Sequence, residues 1–200
     1  MCNHYRNNED KLSSWREYIG AAPYEGEWSE TKVDIWPKYQ ARIVRVVDGS
    51  RVEDSMQWGV PLKMAGKRPG TTVTKRITNV RNLASPFWRS ALAKPEQRCL
   101  VPFTSFAEPK PGAGRAEIWF SVKEADVSAF AGIWRPSEEG DVFAFLTCEP
   151  NPLVAAVHPK AMPVILQPED YGRWLDGDDA AGLATPFPSQ LMAQYDEAPD

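Results

Sequence analysis

Cys2, Asn79, Glu108 and His158 are the residues of this 200-residue chain whose types suit carbonyl chemistry. Cys2 follows the initiator methionine in "MCNHYR", so removal of Met1 leaves a thiol and a free α-amine on one carbon skeleton. Such a residue captures an aldehyde twice: the amine forms an imine, then the thiol adds to the same carbon and closes a five-membered thiazolidine. Reference pKa values of about 7.7–8.0 for an α-amine and about 8.5 for a thiol leave both groups partly reactive near neutrality. An isolated Met-Cys start is more often an accident of sequence, so the cysteine gains meaning only with companions.

Glu108 lies in "TSFAEP" and His158 in "AAVHPKAMPVIL", each after an apolar segment. A carboxyl at the end of a buried strand has its pKa raised and serves as acid or base, and a histidine titrates near physiological pH. The plain alternatives are a turn carboxylate before Pro109 and a histidine held by a backbone bond. Asn79, in "RITNVRNL", is open between a turn residue and a polar ligand for a reacting group.

The other chemistry-bearing residues narrow the classes. Cys2, Cys99 and Cys148 form no close pair and no Cys-x-x-Cys, and His4 and His158 stand at opposite ends, so neither a disulfide nor a metal site is expected. Cys99 and Cys148 sit in apolar, strand-like contexts and read as core. Walker and Rossmann glycine patterns are missing, and no cofactor is expected. No apolar run is long enough to span a membrane and the start holds no signal-peptide core, so a cytosolic protein with no membrane partner is expected.

A net charge of −4 averages over segments of opposite sign. Between Trp58 and Arg98 nine cations, among them Lys63, Arg81 and Arg89, face the single acid Glu96. With Trp58, Phe87 and Trp88 interleaved, the segment has cations for phosphates and aromatic faces for bases, the ingredients of single-strand binding. The bland alternative is a solvated basic face with its aromatics turned inward. Beyond Glu169 the balance reverses, and an acidic, peripheral segment over about 178–200 is expected.

The elements that must position these residues read as follows. Leu12, Trp15 and Ile19 have helical spacing over 8–19, ended by Gly20. Residues 40–47 and 54–58 read as strands separated by an Asp48-Gly49 turn, with a basic Gly/Pro loop over 63–72. Ser85-Pro86 starts a short helix through Ala93, and 100–106 is extended. Residues 117–122, 128–134 and 141–147 predict an antiparallel meander, followed by a helix over 151–157, a buried strand over 162–166 and a helix from 168–170 to Gly177. The class is α+β: one domain built on a mainly antiparallel, curved and barrel-like sheet decorated with helices.

Taken in order, "MCN", "QWGVP" at 57–61, "TNVRNL" at 78–83, "RCLVPFTSFAE" at 98–108, "FAGIW" at 130–134 and "VHPKAMPVIL" at 157–166 resemble the SRAP family, the SOS-response-associated peptidase or abasic-site-processing proteins. The resemblance implies a protein that binds an abasic site in single-stranded DNA, opens the deoxyribose to its aldehyde and traps it through Cys2. It implies Cys2 as nucleophile, Asn79 orienting the adduct, Glu108 as acid/base near the amine and His158 as proton donor for ring opening. Arg81 would hold phosphate and Trp58 with its neighbouring loop would interrupt base stacking, while Lys63 and Arg89, from the charge map, are further expected DNA contacts. His4, or Arg6, would stand where family members often have an early phosphate-binding arginine. Ala107, Pro109 and Lys160 also depart from the family pattern. A self-processing peptidase step exposing Cys2, a minor lyase activity and a monomeric state are further expectations, with the protein on the nucleoid when bound to DNA. Two rivals remain: a thiol peptidase using Cys2 and His158, and a non-covalent single-strand-binding module built on residues 58–98.

Overall fold

In the strand Gly140–Cys148, Val142, Ala144 and Leu146 enter one apolar cluster while Phe143 and Phe145 enter another. Residues 98–103 and 128–137 divide in the same way, with Leu100, Ala129 and Ala131 on one side and Cys99, Val101 and Phe130 on the other. A strand with two buried faces reads as a continuous apolar run, because the period of two then separates two cores instead of core from solvent.

The computed structural model describes residues 2–26 and 32–199. Its first strands are β1 (His4–Arg6), β2 (Asp34–Ile35), β3 (Gln40–Val47), β4 (Ser50–Trp58), β5 (Val60–Ala65), β6 (Thr72–Ile77) and β7 (Asn79–Val80). Then come β8 (Arg98–Phe103), β9 (Ser105–Pro109), β10 (Glu117–Val122), β11 (Ser128–Ser137) and β12 (Gly140–Cys148). The last are β13 (Met162–Pro163), β14 (Ile165–Leu166) and β15 (Met192–Tyr195). The helices are α1 (Glu9–Tyr18), α2 (Pro86–Leu92), α3 (Pro152–Ala155), α4 (Asp170–Leu175) and α5 (Ala180–Leu183).

Strands β12, β4, β3, β8 and β11 pair in turn, and β11 pairs back to β12, closing a five-strand barrel. A second sheet runs β15-β10-β9-β1-β2. Tyr5, Phe106 and Phe120 of this sheet join Trp58, Phe130 and Phe145 of the barrel strands in one aromatic core. The other cluster joins the barrel strands to Leu12 and Trp15 of α1, Trp88 of α2 and Trp174 of α4. The class is therefore α+β, as expected, and the pairing between the strands named above is antiparallel except where β12 meets β4 and β7.

Local signals explain the ends of these elements. Asn8 caps α1 by accepting from the Asp10 amide, and Ser85 caps α2 by accepting from Phe87, with Pro86 in the first turn. Asp48 and Gly49 both have positive φ, 49° and 77°, the backbone of a tight two-residue hairpin.

Four expectations need correction. The meander does not form: β10 pairs β9 and β15, and only β11 and β12 make a hairpin with each other. Residues 63–72 are not all loop, because β5 and β6 pair from Val60↔Ile77 to Ala65↔Thr72. The strand over 162–166 divides at Val164, where β13 adds to β12 and β14 to β11. The tail is peripheral only in part, because its acids flank apolar residues that the core takes up: Phe187 and Met192 are buried, and β15 extends the second sheet. Asp200 lies outside the described residues.

Candidate active site around Cys2

Strand β1 lies between β9 and β2, with His4 opposite Ala107 and Tyr5 opposite both Phe106 and Ile35. This register carries the chain's start to the end of β9 where Glu108 stands. Cys2 is 1% exposed, and its thiol donates to its near neighbour, the His4 carbonyl, at 3.4 Å. Asn79 arrives on β7, paired in parallel with β12 at Phe145. Its Nδ2 donates to the Cys2 carbonyl at 3.1 Å and to the Thr78 hydroxyl at 2.7 Å. That hydroxyl donates in turn to Asn3 Oδ1 at 3.1 Å, so the first residues are held by a short relay of side chains. Asn79 Oδ1 is buried and accepts no hydrogen bond from the described residues.

Glu108 is fully buried on β9. Burial pushes its carboxyl above the ordinary carboxylate value, and the nearby His158 pulls in the opposite direction. His158 follows α3, and its Nδ1 lies 2.9 Å from the Ala161 carbonyl and 3.8 Å from Glu108 Oε2. A carbonyl only accepts, so Nδ1 carries hydrogen and the other ring nitrogen is the exchangeable position. Asn151 sets the helix before it: its Oδ1 accepts from the Val154 amide, and its Nδ2 donates to Phe187 O at 2.7 Å. The tail thereby braces the element that presents His158.

The Cys2 thiol is pushed well above its ordinary value, first by burial and then by the negative charge of Glu108. It is therefore held as S–H beside a carboxyl with raised proton affinity. Among the described residues no group of three or more His, Cys, Asp or Glu side chains is placed to hold a metal ion.

The structure thus brings together Cys2, Asn79, Glu108 and His158, and it separates the expected DNA contacts. Arg81 is exposed two residues beyond Asn79, 3.7 Å from Glu149. Lys63 and Arg89 are exposed on β5 and α2. Trp58 does not reach solvent: it is 0% exposed, stacks on Phe145, meets Tyr5 edge-on and donates to the Thr78 carbonyl at 3.2 Å. Its role is to support the Thr78–Asn79 turn from below. His4 does not serve as a free phosphate contact either, because Glu117 and Asp34 engage both ring nitrogens at 2.8 and 3.0 Å. Thr78, Asn151 and the His4 partners were not legible as site residues. Only Asn151, a capping type before Pro152, carried a local signal.

A family model described as SOS response associated peptidase (SRAP) matches residues 1–197. The chain belongs to the SRAP family. Among solved structures, a protein from Bordetella bronchiseptica is similar over 96% of this chain and 98% of its own, with a TM-score of 0.76 and 26% identity. A protein from Bacteroides thetaiotaomicron covers 97% of this chain and 91% of its own with a TM-score of 0.75 at 22% identity, which shows the fold alone. The same holds for a phage-related protein from Bordetella bronchiseptica, with a TM-score of 0.66 at 18% identity over 98% of this chain and 93% of its own. No curated protein matches the sequence. Within the SRAP frame, no helix among the described residues is long and apolar enough to cross a membrane.

Proposed function

We propose that this SRAP protein traps abasic sites in single-stranded DNA as a thiazolidine on Cys2. The observation that carries the reading is the hydrogen bond from Asn79 Nδ2 to the Cys2 carbonyl, which fixes the one residue able to present amine and thiol together. Met1 lies outside the described residues, and the chemistry requires its removal.

The steps balance without a cofactor. His158 donates a proton to the ring oxygen as the C1–O bond breaks, the C1 hydroxyl gives its proton to the Glu108 carboxylate, and the aldehyde opens. The Cys2 amine adds to the aldehyde carbon, and loss of one water leaves an imine. The thiol sulfur adds to the imine carbon, its proton passes to nitrogen by way of Glu108, and the ring closes. Glu108 suits this shuttle because burial raises its carboxyl. An imine that persists before ring closure permits loss of a sugar proton and of the 3′ phosphate, hence a minor lyase activity. Exposed cations at Arg81, Lys63 and Arg89 supply the phosphate contacts.

Two observations weigh against the rivals. A peptidase built on a Cys–His pair needs the histidine against the thiol, whereas the Cys2 thiol donates to the His4 carbonyl and His158 Nδ1 faces the Ala161 carbonyl and Glu108. A non-covalent module built on residues 58–98 needs open aromatic faces within that segment, and Trp58 and Trp88 are buried. Intact mass and denaturing gels with an abasic single-stranded oligonucleotide test the reading. A heat-stable adduct one water lighter than the sum of its parts is expected with wild type and none with Cys2→Ala. Equal adduct from both proteins, or peptide release independent of the abasic sugar, overturns it.

A further inference from the structure

We infer that Trp36, laid on His4, is a stacking platform for the unpaired nucleobase next to the abasic sugar. The inference rests on the abasic-site reading above and adds a base-binding site to it.

Trp36 is the most exposed of the described tryptophans at 40%, whereas Trp58, Trp119 and Trp174 lie at 6% or below. An indole in solvent would ordinarily move, but this one is held flat. Its ring lies 3.8 Å from the His4 ring, centroid to centroid, with 19° between the planes. His4 is itself immobilised: Glu117 on β10 holds Nδ1, Asp34 on β2 holds Nε2, and Trp119 packs edge-on at 4.6 Å. One indole face is occupied by a fixed partner and the residue remains open to solvent. That is a preorganised surface, for which little ordering has to accompany binding.

Its place and charge select the ligand. His4 is two residues from Cys2, a reach of at most about 7 Å of chain, so a nucleotide adjoining the reacting sugar can meet the indole. Arg6 Nε lies 3.2 Å from Asp34, and Asp34 and Glu117 both engage the His4 ring, so this arginine is already paired with an acid. A patch without surplus cation does not select phosphate, whereas an aromatic face suits any base, since every base has a π-face. The lesion supplies the partner: loss of a base removes one stacking neighbour from each flanking base and leaves a face uncovered.

The test is reversible binding to single-stranded oligonucleotides that carry tetrahydrofuran, a sugar analogue without an aldehyde, in place of the abasic site. In one set both flanking nucleotides bear adenine; in two others the 5′ or the 3′ neighbour is also tetrahydrofuran. Trp36→Ala is expected to weaken binding to the adenine-flanked strand roughly 5- to 100-fold. It should have no effect on the one strand that lacks the stacked base, and Trp36→Phe should recover most of the loss. An equal loss on all three strands, as from disturbing His4, overturns the platform, and so does no loss on any. Wild-type crosslinking to a natural abasic strand, measured in parallel, separates the two inferences: its absence overturns the reading beneath, and its presence with base-independent binding by Trp36→Ala overturns the platform alone.

Discussion

Cys2, Asn79 and Glu108 are buried and meet from three distant segments, whereas the basic hairpin of β5 and β6 is exposed and held mainly by its own cross-strand pairs. At the reacting centre, positions are set by β1 between two strands, by the Thr78–Asn79–Asn3 relay and by Trp58 underneath. On the hairpin, Met64 and Val73 stand opposite each other at 41% and 50% exposure. Its cations lean on the β11–β12 turn, where Glu138 meets Lys63 at 2.7 Å and Glu139 meets Arg76. The hairpin's base turns at Gly59, whose φ of 110° strains any other residue and whose Cβ position would meet Arg76 Cβ at 3.1 Å. A buried, cross-braced site suits chemistry that demands fixed geometry, and an exposed charged hairpin suits affinity that tolerates any sequence. Substitutions should therefore separate rate from binding.

The sharpest separation is Cys2→Ser, which keeps the amine and loses the sulfur. Thiazolidine closure should disappear while imine formation persists, so heat-stable adduct falls below detection and borohydride still traps a covalent species. Strand cleavage should rise, because the imine now has time to lose the sugar proton. Binding to intact single strands should stay within about threefold of wild type. A heat-stable adduct without borohydride would remove sulfur from the mechanism.

Glu108→Gln comes next, with a crosslinking rate lower by about 10²- to 10⁴-fold and unchanged DNA affinity. Stability carries a second signature. A carboxyl with a raised folded pKa binds more protons in the native than in the unfolded state, so wild-type stability falls as pH rises from the ordinary value of 4.5 through the folded value. Glu108→Gln lacks that titration, so its melting temperature should be flatter over this range and above wild type at neutral pH. Thr78→Val is milder: it removes the hydroxyl that links Asn79 to Asn3, and up to about a tenfold loss of rate is expected, the worth of one hydrogen bond.

Where the fold was readable, the signal was local. Asn8, Ser85-Pro86 and Asp48-Gly49 each state a cap or a turn within a few residues. The partner of β10 was not readable, because alternation assigns a strand its faces and says nothing of its neighbour. Trp58 misled for a related reason: it stands in a basic segment by sequence and under the Thr78–Asn79 turn in space. Residue types marked Cys2, Asn79, Glu108 and His158 as candidates, and the ordered motifs gave them roles. The cage around His4 was invisible, since Asp34 and Glu117 stand 30 and 113 residues away from it.

On the hairpin the effects should move binding and leave the intrinsic rate alone. Lys67→Ala with Arg68→Ala, both exposed beyond the paired strands, should weaken single-strand binding several-fold at low salt. The slope of log affinity against log salt should shrink by about 0.7 for each cation that touches phosphate. Crosslinking at saturating DNA should be unchanged; a slower saturated rate would mean that the hairpin also positions the reacting sugar.

The smallest expected effect concerns the acids that hold the hairpin. Glu138 satisfies Lys63 in the free protein, lowering its own pKa through that hydrogen bond and raising that of the lysine. A phosphate must displace this carboxylate to use the same ammonium, so Glu138 acts as a competitor tethered to the protein. Both partners are exposed, and water screens what they gain from each other. Glu138→Gln should therefore tighten single-strand binding by no more than about threefold at low ionic strength. The gain should vanish near 1 M salt, where the Debye length falls to about 3 Å. Lys63→Ala in the same protein should abolish the gain, because the acid competes only through that lysine. Tighter binding that survives high salt, or persists without Lys63, would place Glu138 in a different role from the one its contact with the hairpin suggests.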